Sequence, residues 1–196
     1  MSAPGPARPS PRLRFSTKTA WRRWLADQHS SSEGIWMEIA KSGSDTESIS
    51  YADALEIALC FGWIDGQKAA ADDGVWLQRF TPRRARSRWS KINRKRAEAL
   101  IAAGLMAPAG MAEVDRAKRD GRWAAAYDGQ AAAGVPEDLA TALAASPPAA
   151  ALFSALDSRN RYAILYRVQD AKKPETRARR IQAFVDMLAE GKKIYP

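Results

Sequence analysis

Between Phe80 and Arg96 the chain reads FTPRRARSRWSKINRKR, with eight Lys or Arg residues and no acid, and Arg79 stands just before it. Ser87, Trp89, Ser90 and Asn93 are interleaved with the cations. Arginine clamps a carboxylate or phosphate through parallel N–H donors. Serine hydroxyls and open backbone donors at a helix start seat an anion. On this chemistry Arg83, Arg84, Ser87, Trp89, Ser90 and Asn93 form a small-anion site, the indole walling it. Trp63 and Asp65, from CFGWIDG at 60–66, are its neighbours. Two other readings stand beside it. In one the run grips a phosphate backbone while Trp89 stacks on a base. In the other the arginines pair with Asp65, Asp72, Asp73 and Asp120, or are simply solvated.

Ser90 suits a helix N-cap, which places Lys91, Arg94 and Lys95 in the first turns. Cations there oppose the helix dipole, so something negative nearby would relieve them. That helix is expected to turn Ile92, Ala99 (or the aliphatic stem of Arg96), Leu100 and Ala103 inward. Asp65, followed by Gly66, is either a ligand acceptor or an ordinary turn former.

Other chemistry has fewer residues to work with. Cys60 and His29 are the only cysteine and histidine, so neither an internal disulfide nor a Cys/His zinc site can be assembled. His29 lies in the polar stretch ADQHSSSEG and reads as a surface residue, while Cys60 reads as a small core residue. GLMAPAG at 104–110 lacks the Lys-Ser/Thr of a phosphate-binding loop. No catalytic set, metal or cofactor is expected.

The 196 residues carry net charge +9, from 31 basic and 22 acidic side chains, with 46% hydrophobic and 27% charged residues. That is a globular composition favouring acidic partners. MSAPGPARPSPRLRF has no apolar core of a secretory signal, so a cytoplasmic protein is expected. The longest uncharged run, Leu139 to Leu156, is cut by Pro147-Pro148 and reads as two core helices, leaving no transmembrane segment.

The elements that must position these residues follow from periodicity. Residues 1–11, with four prolines, read as a disordered tail whose Arg8, with Arg12 and Arg14 beyond, could touch an acidic surface. A helix is predicted over 17–28 on Trp21, Trp24, Leu25 and Gln28. A strand follows at 34–41, with Ile35, Met37 and Ile39 on one face. Ser50 opens a helix with Asp53 completing a capping box. WIDGQKAA and GVWLQRFT make a hairpin around Asp72-Asp73-Gly74. Helices follow near 90–104, 108–120, 136–145, 148–156, 159–171 and 174–190. In the last, Arg177 and Arg180 share a face. Trp36, Trp76 and Trp123 read as core.

YADALEIALCFGWIDGQ (51–67), RFTPRRARSRWSKIN (79–93), GLMAPAG, AKRDGRW (117–123), VPEDLATALAASP (135–147) and AKKPETRARRI (171–181) together resemble the bacterial YdeI-type, OmpD-associated (bacteriocin-protection) family. The pieces cover most of residues 20–193 in order. The resemblance implies a YjbR/CyaY-like α+β lobe over 12–130 and a helical module over 131–196. It implies a link to envelope stress or bacteriocin tolerance, and no reaction. The expected fold is α+β, a small antiparallel sheet with helices on one side followed by a helical module. The expected function is non-enzymatic binding of a small anionic ligand or an acidic protein surface. Nucleic acid bound by the 79–96 run is the alternative, and contact with anionic membrane is a further one.

Overall fold

Apolar residues at every second position from Ile35 give a strand one face to bury, and Ile35, Met37 and Ile39 are buried. The computed structural model describes residues 10–72, 74–129 and 134–196. The tail expected over 1–11 lies outside them up to position 9, as do Arg8 and Asp73. The chain divides into two compact units, Met1–Ala126 and Tyr127–Pro196.

Among the described residues the N-terminal unit has four strands, β1 (Arg12–Arg14), β2 (Ile35–Ala40), β3 (Trp63–Ala70) and β4 (Val75–Pro82), in the order β1-β2-β4-β3. β2, β4 and β3 pair antiparallel, as the hairpin predicts. β1 was not foreseen, and it pairs parallel to β2. Its Arg12 and Arg14 both reach Glu38 on the neighbouring strand, and Arg12 also reaches Asp72.

The described helices of this unit are α1 (Lys18–Gln28), α2 (Tyr51–Cys60), α3 (Lys91–Ala102) and α4 (Pro108–Arg119). Thr17, Ser50 and Ser90 cap the first three through their side-chain oxygens. The core gathers Trp21 and Leu25 of α1, Leu55, Ala58 and Leu59 of α2, Ile35, Met37 and Phe80 of the sheet, and Val114 of α4. Gln28, the last residue of α1, is exposed, so the buried stripe stops at Leu25. Trp36 faces the other side of the sheet, beneath the Arg79 guanidinium. Trp76 and Trp123 only border the core.

Gly62 and Gly110 allow the close approach of α4 to the end of α2. Gly62 has φ +72°, and a Cβ there would meet Glu113 Cγ at 2.8 Å. A Cβ on Gly110 would lie 2.2 Å from the Cys60 carbonyl oxygen, which also accepts the Ala107 N–H at 3.0 Å. Of the two GLMAPAG glycines, Gly110 thus serves helix packing, whereas Gly104, at φ +68°, has nothing packed against it.

The C-terminal unit is helical: α5 (Glu137–Ala144), α6 (Pro147–Ala155), α7 (Ser158–Asp170) and α8 (Pro174–Ala189). Proline opens α6 and α8, where the missing N–H has no partner to lose. Leu139, Phe153, Ile164, Val168, Ile181, Val185 and Leu188 make its own core. Among the described residues no helix is long and apolar enough to cross a membrane.

Candidate functional site

The basic run leaves the sheet where β4 ends. The Arg83 N–H donates to the Gly62 carbonyl at 2.9 Å. A tight turn follows, in which the Ser87 N–H donates to the Arg84 carbonyl and the Arg84 N–H donates to Ser87 Oγ, each at 2.9 Å. The chain then drops Trp89 into the core, 1% exposed, with its ring 4.8 Å from that of Trp123. The Arg83 guanidinium carbon lies 3.6 Å from the Trp89 ring centre, and Arg83 Nη1 donates to the Arg88 carbonyl at 3.2 Å. This is a buried cation–π stack. Ser90 Oγ accepts the Asn93 N–H at 3.1 Å as a helix cap, and Asn93 Oδ1 accepts from Arg96 at 3.4 Å.

These contacts divide the expected site. Arg83 and Trp89 are buried together, whereas Arg84 is exposed. The Ser87 and Ser90 hydroxyls accept backbone donors within the chain. Trp63 is 1% exposed, edge-on to Trp21 and Trp24, with its indole N–H donating to the His29 carbonyl at 3.2 Å. Polarity within the motif did not reveal this, because both indoles find hydrophobic neighbours remote in sequence.

The α3 stripe also differs from expectation. Ala97 and Leu100 are buried, while Ile92 is 49% exposed and Ala99 and Ala103 are exposed. Arg94 is drawn partly inward, donating to the Trp123 carbonyl at 3.3 Å and lying 3.6 Å from Glu98. That carbonyl and Glu98 offset part of the charge in the first turns. Arg86 and Lys95 remain exposed with Arg84.

Asp65 accepts the Tyr51 hydroxyl at 2.6 Å, a partner that sequence reasoning missed. The β3–β4 ladder carries a bulge here. Asp65 pairs with Phe80 and Lys68 with Gln78, so β3 fits one extra residue between them. The bulge turns Asp65 and Lys68 to the same face. The Lys68 ammonium stands 4.7 Å from the Trp76 ring centre and 5.3 Å from that of Tyr51. Gln78, fully buried, donates its amide to the Gly66 and Gln67 carbonyls that the bulge leaves unpaired. The lone Gly66 inside a strand pattern was the available signal for all of this. Burial first, and the bond to Asp65 second, push the Tyr51 hydroxyl well above the ordinary tyrosine range, against a weaker pull from Arg96. Tyr51 is therefore a neutral hydroxyl that donates to Asp65.

The acids expected to neutralise the run have other partners. Asp65 has Tyr51, Asp72 has Arg12, and Asp120 has Arg122. In the C-terminal unit Arg177 pairs with Asp138, and Arg180 reaches Asp170 and the Arg167 carbonyl. Burial pushes the Cys60 thiol up despite Arg22 Nη2 at 3.6 Å, which disfavours a thiolate nucleophile. Among the described residues no group of three His, Cys, Asp or Glu is placed to hold a metal ion.

Residues 13–113, just over half of the chain, match the family model described as "Domain of unknown function (DUF8412)". The chain belongs to this family. Residues 132–191 match a second model, "Bacteriocin-protection, YdeI or OmpD-Associated", which covers the helices of the C-terminal unit. The resemblance drawn from sequence is thereby upheld for that unit. No curated protein and no solved structure matches the chain.

Proposed function

We propose that this YdeI/OmpD-associated protein is a non-enzymatic binding protein whose N-terminal unit meets an acidic partner surface through Arg84, Arg86 and Lys95. One observation carries the reading. These three cations are exposed on an acid-free segment, and among the described residues none forms an ion pair. Arg12, Arg116, Arg122 and Arg177, by contrast, each hold a carboxylate. An enclosed seat for a small anion would need the Trp89 ring, which is buried against Arg83 and Trp123. An extended acidic surface needs only solvent-facing charge. The YjbR/CyaY-like ancestry of the N-terminal unit, and a role in bacteriocin tolerance, belong to the same proposal. The strand–helix–hairpin order and the description of the second family support them.

The test is binding of the full chain to a fluorescent poly-glutamate peptide and to mixed-sequence DNA across a salt series. The peptide should bind, weaken as salt rises from about 50 to about 500 mM, and bind about tenfold more weakly to Arg84→Glu/Arg86→Glu/Lys95→Glu. A triple variant that binds like wild type refutes the surface. DNA bound more tightly than peptide, with a log–log salt slope of several units, would favour the nucleic-acid reading instead.

A further inference from the structure

α7 carries a second stripe besides its buried one. Arg159, Tyr162, Ala163, Tyr166 and Arg167 recur at helical spacing and, with Tyr195, line a cavity of about 330 Å³ in the C-terminal unit. Lining and size suit a molecule of one or two rings.

The position of Tyr195 is built in by a buried polar residue. Asn160 is 1% exposed, and its side chain takes both backbone groups of Tyr195. Asn160 Oδ1 accepts the Tyr195 N–H at 2.9 Å, and Nδ2 donates to the Tyr195 carbonyl at 3.2 Å. Asp157, the cap of α7, fixes Asn160 in turn, accepting its N–H at 2.6 Å and its side-chain amide at 3.2 Å. A buried asparagine satisfied on both sides is a rigid clamp. It holds the Tyr195 ring against the stripe, where the Arg159 guanidinium carbon lies 4.1 Å and that of Arg167 6.0 Å from the ring centre.

Both guanidinium carbons lie over the Tyr195 ring. Among the described residues neither pairs with a carboxylate, and no carboxylate lines the cavity. Stacking on a tyrosine leaves the guanidinium edge, with its N–H fork, directed elsewhere. A phenol floor, aromatic walls and two cations together recognise a flat ring bearing an anionic group. Aromatic faces take up the ring, and arginine forks take up carboxylate or phosphate.

We propose that this cavity is a binding site for a small aromatic anion, with Tyr195 as its floor and Arg159 and Arg167 as its anion donors. It is separate from the basic surface of the N-terminal unit, and either stands if the other fails.

The test is a titration of the full chain, followed by amide NMR shifts and calorimetry. The probes are phenyl phosphate, 4-hydroxybenzoate, the neutral ring benzyl alcohol and inorganic phosphate. Saturable binding of either ringed anion is expected, with shifts confined to α7 and the segment around Tyr195. It should be about tenfold tighter than binding of the neutral ring or of phosphate alone. Arg159→Ala/Arg167→Ala should lose about tenfold, while the exposed Arg179→Ala keeps wild-type affinity. Tyr195→Leu, which leaves the clamp on its backbone intact, should weaken both ringed anions alike. The proposal is overturned if neither ringed anion binds better than inorganic phosphate. It is also overturned if the double variant, folded by its amide spectrum, binds as wild type does.

Discussion

The Tyr51 hydroxyl meets Asp65 Oδ2 at 2.6 Å, just before the one-residue bulge in β3 that brings Lys68 to the same face. Removing the donor leaves a half-buried carboxylate short of a partner. Tyr51→Phe should cost about 1–2 kcal/mol in urea unfolding at neutral pH. The folded-state pKa of Tyr51 is raised, so its contribution is full below the ordinary tyrosine value near ~10 and is lost as pH climbs above it. Wild type should therefore lose its advantage over Tyr51→Phe in alkali. Ultraviolet titration should show one late-ionising tyrosine that the variant lacks. Equal alkaline profiles for the two proteins would contradict this.

Trp89 supports the guanidinium of Arg83 from within the core. Trp89→Ala should destabilise by about 3–5 kcal/mol through the cavity it opens, and Trp89→Phe by less. Arg84→Ala, one residue from Arg83 but exposed, should stay within about 0.5 kcal/mol of wild type. Chemical denaturation of the three variants reads the contrast. A stable Trp89→Ala would remove the indole from the core.

Gly110 has an ordinary helical backbone, so substitution there probes contact alone. The new methyl would meet the Cys60 carbonyl, and backbone on both sides has little room to yield. Gly110→Ala should cost about 1–3 kcal/mol. It should also speed modification of Cys60 by a thiol reagent, since α4 covers the end of α2. An unchanged melting temperature and thiol reactivity would show that the two helices are not tightly apposed.

Arg177 grips Asp138 with Nε to Oδ2 at 2.5 Å and Nη2 to Oδ1 at 2.8 Å. This bond, helped by the Leu139 N–H, holds the Asp138 carboxyl below its ordinary value. Its stabilisation is present above the ordinary aspartate pKa of about 4 and fades as pH falls through the lower folded value. Both groups are partly exposed, so Asp138→Asn should cost only about 0.5 kcal/mol near neutrality. The gap to wild type should close in acid. A gap that widens below pH ~4 would reverse the sign.

Much of the frame was legible from local pattern. Ile35, Met37 and Ile39 alternate, Ser50 and Asp53 make a capping box, and Pro174 opens the last helix. Each of these is decided by neighbours within a few residues. β1 was missed because three residues carry no periodicity, and what holds Arg12 and Arg14 is Glu38, reached only across the sheet. The α3 stripe was read about one residue out of phase because Ile92 is the most apolar residue of its turn. The packing of Ala97 and Leu100 set the rotation instead.

The sequence by itself determined that this is an α+β protein with a helical C-terminal part, strongly basic between Arg79 and Arg96, with one cysteine and one histidine. It also carried the likeness to the YdeI/OmpD-associated family. Only the tertiary structure decided which cations in that run face water, that Trp63 and Trp89 are interior, and that Tyr51 holds Asp65. The reason is one of range. Helix caps and strand alternation are set by adjacent residues. The environment of an arginine or an indole is set by whatever side chains the fold brings from tens of residues away.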